Sequence, residues 1–172
     1  MGKPIIAILM GSDSDYEVMR EAARVLKEFD IPFEMLVSSA HRSPQRTLEY
    51  AASARERGIR AFIVGAGAAA HLAGVVASKT TLPVIAVPID STSMKGLDAL
   101  LATVQMPGGI PVASMAIGKA GAKNAGLFAL QILAATDVKL AERLDAARVA
   151  MAEGVAKKSE KLQQRLSADG LA

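Results

Sequence analysis

Five short runs of this chain are apolar almost without interruption: Ile5 to Met10, Phe33 to Ser38, Ala61 to Val64, Pro83 to Val87 and Pro111 to Ile117. A parallel strand covered on both faces reads this way, because neither side of its pleat meets water; a half-exposed strand would alternate. Between the runs the period changes. Val18, Ala22, Val25, Leu26 and Phe29 make one helical stripe, and Ala125, Phe128, Ala129, Ile132 and Leu133 make another. Strand and helix alternating at roughly 25-residue spacing predict a doubly wound α/β fold, a three-layer α/β/α sandwich around a parallel sheet.

The end of the chain breaks this rhythm. After Thr136 and Asp137, an N-cap signal, Leu140, Leu144, Ala147, Met151 and Val155 recur at helical spacing on a charged background, and the stripe continues to Leu162 and Leu166. The sandwich is complete before it. The expected organisation is therefore one α/β catalytic domain over residues 1–136 and a C-terminal helical extension over 137–172, docking on another subunit.

Composition removes several classes of function. The 172 residues include no cysteine, which rules out disulfides, a thiol nucleophile and thiolate metal ligands. The two histidines lack the spacing of a metal site, so no transition-metal site is expected. A formal charge of +3 with 3% aromatic residues and no tryptophan points to small anionic ligands, since platforms for single-stranded nucleic acid need rings to stack on. The opening MGKPIIAILM enters a strand without the pattern of a signal peptide, and no run approaches the roughly 18 apolar residues of a membrane span. A cytoplasmic protein with no nucleic-acid or membrane partner is the expectation.

The loops after the apolar runs hold the chemistry, as open α/β sheets require. The first is Gly11-Ser12-Asp13-Ser14-Asp15, where a helix start offers backbone N–H groups and a favourable dipole to an anion. Ser14 with Glu17 fits a capping box, which accounts for one hydroxyl but not for two hydroxyls and two carboxylates in four positions. No Walker lysine follows. The second loop is Ser39-Ala40-His41-Arg42, ahead of a helix start at Ser43-Pro44. Arg42 can grip a phosphate bidentately, and imidazole, with an ordinary pKa of roughly 6.5, suits proton transfer near neutrality. The third loop, Gly65-Ala66-Gly67-Ala68-Ala69-Ala70-His71, imitates a dinucleotide fingerprint, with Asp90 where a ribose-binding acid would stand. It lies in the third β-α unit instead of the first. Small residues there let a backbone approach a compact ligand closely.

Taken in order, GSDSD, SAHR-x-P, GAG-x-AAHL-x-G, QMP-x-GIPV and AIGKAGAKNA resemble the class I N5-carboxyaminoimidazole ribonucleotide mutases of de novo purine biosynthesis, over nearly the whole chain to about Thr136. Ala68, where that family usually has Gly, and Ala73, where it usually has Pro, depart from the pattern. The resemblance implies a flavodoxin-like sheet of order 2-1-3-4-5 and a 5′-phosphorylated ribonucleotide substrate. It implies that Ser14, Ser39 and Arg42 meet the phosphate and that Ser12 and Asp15 hold the ribose. Ala40 belongs to the same substrate-binding set, and the backbone around Ala66, Gly67, Ala70, His71 and Leu72 encloses the heterocycle and its carboxylate. It makes His41 the general acid and base, needs no cofactor, and implies a homo-octamer whose C-terminal helix packs on a neighbour.

Three alternatives accompany this reading. Direct carboxylation of the aminoimidazole ribonucleotide, the class II activity, goes with Lys after the loop histidine and a polar glycine-rich loop; Arg42 and the alanines at 68 to 70 point away from it. A phospho-acceptor receiver would explain Asp13, Asp15 and Lys119 but needs an aspartate where Gly65 ends the third strand. A dinucleotide-dependent oxidoreductase rests on the glycine-rich loop alone.

Overall fold

Strands β1 (Ile6–Met10), β3 (Ala61–Gly67) and β4 (Val84–Ile89) are buried along almost their full length, which is why their sequences carry no alternation. In the computed structural model, which describes residues 2–171, they are the centre of a five-stranded parallel sheet. Adding β2 (Phe33–Val37) and β5 (Ala113–Ser114) gives the order β2-β1-β3-β4-β5, as expected. The two inner register pairs run Ile6 with Ala61 to Met10 with Gly65, and Phe62 with Val84 to Gly67 with Ile89. The fifth strand is a correction. Two residues pair with β4, not the run from Pro111 to Ile117, because β5 is an edge strand and Pro111 has no N–H to give.

Helices cover both faces. Helix α1 (Tyr16–Glu28) lies on one, where Met19 fills the space above Gly65 that a Cβ would occupy. Helix α5 (Lys119–Ala134) lies beside it, and a Cβ on Gly126 would meet Val25 at 2.9 Å. The expected α1 stripe is buried from Ala22 to Phe29, while the α5 face centres on Ala122, Ala125, Ala129 and Leu130. On the other face α2 (Pro44–Ser53), α3 (Leu72–Ala77) and α4 (Leu97–Val104) contribute Ala51, Leu72, Val76 and Ala99 to a core with Leu9, Phe62, Val64 and Ala86. Many of these contacts are alanines, which bring helices close to the sheet and leave the loops above them tightly placed.

The chain divides into two compact units, one ending at Leu130 and one starting at Gln131. The second contains α6 (Val138–Ala168), capped as expected by Asp137, whose carboxylate accepts from the Leu140 N–H at 3.1 Å. Along α6, Leu140 is buried, whereas Met151, Val155 and Leu162 are exposed. Among the described residues no helix is long and apolar enough to cross a membrane.

Candidate active site

Parallel strands send all their carboxyl ends the same way, and the order reverses between β1 and β3, so their loops part around a crevice. A cavity of about 400 Å³ opens there. It is lined by Gly11, Ser12, Ser14 and Asp15 after β1, by Ser39, Ala40, His41 and Arg42 after β2, and by Ala66, Gly67, Ala69 and Leu72 around the end of β3. Ser91, after β4, completes the wall. Of the residues expected from sequence, Ala70 is instead buried beneath the loop and His71 stands behind His41.

The first loop folds differently from its expected cap. A short 3-10 turn, Asp13–Asp15, precedes α1, and its N-cap is Ser12. The Ser12 hydroxyl accepts from the Ser14 N–H, and the Asp15 carboxylate accepts from the Ser12 N–H at 3.0 Å. The capping box is therefore Ser12 with Asp15, two residues before the Ser14 and Glu17 pair; Glu17 forms an ion pair with Arg20 at 2.8 Å. Burial raises the Asp15 pKa above the ordinary carboxylate value, opposed by the backbone N–H groups of Ser12 and Gly11 and by the Ser14 side chain.

The second loop is pinned by the buried Ser38 and Thr47 hydroxyls, 2.8 Å apart. Ser43 holds the N-cap position of α2 with Pro44 behind it, but its hydroxyl donates to the Ser39 carbonyl and makes no cap bond. Two consecutive side chains then diverge. Arg42 turns toward the first loop, donating to the Ser39 hydroxyl and, through Nη2, to the Gly11 carbonyl, both at 3.4 Å. His41 turns toward the third loop, where its Nε2 lies 2.9 Å from Nδ1 of His71. The rings meet edge to face, with centroids 5.0 Å apart. One nitrogen of the pair must donate and the other accept, so each ring fixes the tautomer and orientation of its partner.

The third loop holds a strained residue. Ala68 has φ +52°, a left-handed conformation that a Cβ disfavours. Two tight bonds follow, from Ala70 N–H to the Ala68 carbonyl and from His71 N–H to the Ala69 carbonyl, each 2.8 Å. They turn the chain so that His71 leaves the loop facing His41. Ala73 sits in the first turn of α3, where proline would also fit.

Sequence reasoning missed Ser91, although it lies two residues past the end of β4 and the rule of loops after strands could have found it. Its neighbour Asp90, expected only under a dinucleotide reading, does not line the cavity. Among the described residues no group of three His, Cys, Asp or Glu is placed to hold a metal ion.

Serine, aspartate and arginine side chains and a histidine meet in one crevice of a flavodoxin-order sheet, where proteins of this architecture bind small molecules. The family model described as AIR carboxylase matches residues 5–154, and the chain belongs to that family. It is 54% identical to the N5-carboxyaminoimidazole ribonucleotide mutase of Bacillus subtilis over 160 residues, covering 93% of this chain and 99% of that one. It is 52% identical to the protein of the same name from Pyrococcus horikoshii, covering 94% and 90%. A solved structure, the Treponema denticola PurE, is similar at TM-score 0.80 and 30% identity over 92% of this chain and 98% of that one.

Proposed function

We propose that this chain is an N5-carboxyaminoimidazole ribonucleotide mutase, which moves a carboxyl group from the exocyclic amine of its substrate to ring carbon C4 in de novo purine biosynthesis. The observation that carries this reading is the divergence of His41 and Arg42, which separates a proton-transfer group from an anion-binding group within one cavity. Arg42, Ser14 and Ser39 bind the 5′-phosphate, and Ser12 and Asp15 bind the ribose. That leaves the heterocycle against Ala66, Gly67 and Leu72, beside His41.

The reaction then needs one titrating group. The bond from the exocyclic nitrogen to the carboxyl carbon breaks, its electrons stay on nitrogen, and His41 supplies the proton. The carbon dioxide released stays in the cavity, where C4 attacks it. His41, now neutral, takes the C4 proton and is ready for the next turnover. His71 holds the His41 ring and its tautomer throughout. Replacing His41 with Asn keeps a polar side chain and removes titration. Turnover should fall by at least about 10⁴-fold, the upper range for acid–base catalysis, because one group serves both steps. Affinity for the product nucleotide should stay within roughly tenfold, since that binding rests on other groups. Retention of more than about a tenth of wild-type turnover would remove His41 from the mechanism.

The enzyme acts in the cytoplasm as a homo-octamer in this reading. Support comes from α6, where Met151, Val155 and Leu162 are 55%, 67% and 54% exposed, an apolar stripe that a neighbouring subunit would cover. Truncation after Ala135 should lower both particle mass and activity, measured by gel filtration with light scattering and by turnover. A monomeric wild type at micromolar concentration contradicts the assembly.

A further inference from the structure

Beneath the loop that carries His41 and Arg42 lies a pair of hydroxyls set back from the cavity. Ser38 is 6% exposed and Thr47 fully buried, and neither lines that space. Their oxygens are 2.8 Å apart. The Thr47 hydroxyl has one proton, which goes to the Ser43 carbonyl at 3.2 Å, so Thr47 accepts from Ser38. The Ser43 hydroxyl donates in turn to the Ser39 carbonyl at 3.1 Å, and the Ser39 hydroxyl accepts from the Arg42 N–H at 3.2 Å. A directed series of hydrogen bonds thus runs from the end of β2 through the first turn of α2 and back to the loop between them.

Both ends of the series are anchored. The Ser38 N–H donates to the Met10 carbonyl at 2.8 Å, next to the Gly11 carbonyl that Arg42 reaches. The Thr47 N–H closes the first turn of α2 on the Ser43 carbonyl. Stability alone does not account for hydroxyls here. A buried hydroxyl pair that satisfies itself gains little over alkyl groups of the same shape, which carry no desolvation cost. What hydroxyls add is direction, because each proton must find its acceptor.

We propose that Ser38 and Thr47 are positioning residues for His41, setting the path of residues 39–43 so that the imidazole meets His71 while Arg42 points to the first loop. The kinetic consequence rests on the mutase reading; the geometric one does not. Among the described residues the His41 side chain hydrogen-bonds to His71, at 2.9 Å, and to nothing else, so the loop backbone decides where the ring starts. A displacement of about 1 Å in a reacting group, caused from a distance, can cost about a hundredfold in rate.

The test is the double variant Ser38→Ala/Thr47→Val, which keeps the packed shape and removes both hydroxyls. Beside it stands Thr47→Ser, which keeps the series intact. Each is measured by melting temperature, steady-state kinetics and nitrogen NMR of the imidazoles. The double variant should melt within about 3 °C of wild type yet lose about ten- to hundredfold in kcat. Its His41 and His71 nitrogen signals should move toward the averaged tautomers of free imidazole. Thr47→Ser should match wild type in kcat and in spectrum. Unchanged imidazole signals in the double variant, kcat within twofold of wild type, or a loss that Thr47→Ser shares would each overturn the assignment. So would a loss of kcat that only follows a large fall in melting temperature, since that marks a structural role alone. Wild type that does not turn over the carbamate nucleotide would overturn the mutase reading and leave the imidazole signals to decide the positioning.

Discussion

The α/β unit has a cavity at each end of its sheet, and the larger is the less interesting. At the amino ends of β4 and β5 a space of about 820 Å³ is lined by Arg55, Glu56, Lys79, Thr80, Thr81 and Ile110, among others. The space at the carboxyl ends is about 400 Å³. The difference lies in what the polar groups are already doing. Arg55 is engaged, donating to the Thr81 hydroxyl at 2.9 Å. At the other end Arg42 makes only long contacts of 3.4 Å through its guanidinium, and Ser91 makes none among the described residues. Hydrogen-bonding capacity left open, in the crevice where strand order reverses, marks a site better than volume does.

Two arginines make the comparison testable. Arg42→Ala should raise the Michaelis constant by about 10–150-fold, the worth of charge-assisted bonds to a phosphate, with a smaller loss of turnover at saturation. Arg55→Ala, at the larger cavity, should leave both constants within about twofold, because remote surface changes alter little. Steady-state kinetics on the two variants decides it. An Arg55 effect as large as that of Arg42 would break the distinction between the ends.

A smaller effect concerns backbone strain. At the amino end the turns with positive φ are built on Gly58 and Gly109, and on Asp30, a residue type that tolerates them. At the carboxyl end Gly96 and Gly118 do likewise, but Ala68 and Lys95 adopt that region without such freedom. Ala68→Gly should relieve about 1–2 kcal/mol of left-handed strain and lose about 0.4–1 kcal/mol through a freer unfolded chain. A net rise of about 2–4 °C in melting temperature is expected from calorimetry. A fall would mean that the loop does not hold Ala68 in this conformation.

How much was legible in the sequence follows the same division. Strands buried on both faces announce themselves, so β1, β3 and β4 came through, and the half-buried β2 with them; their order came from the family resemblance, and edge strand β5 was overextended because apolar residues from Pro111 onward look alike whether or not they pair. The first loop was ambiguous in a specific way. Ser12 with Asp15 and Ser14 with Glu17 both satisfy the capping spacing, and only the intervening 3-10 turn selects the earlier pair. Each histidine could be placed after a strand, but their contact could not. It depends on β2 and β3 flanking β1, which sets their loops about 9–10 Å apart, a gap that two imidazoles close. Ser91 was hidden by its neighbour Asp90, which attracted attention as a charged residue while the neutral hydroxyl faced the cavity.

The central claim is that one cavity releases and recaptures the same carbon dioxide. Substrate labelled at the carbamate carbon, turned over in unlabelled bicarbonate, tests it directly by the label found at C4 of the product. The account predicts that the label arrives undiluted by the medium. Product carrying unlabelled carbon, with the label lost to bicarbonate, would contradict it and point to direct carboxylation from solution.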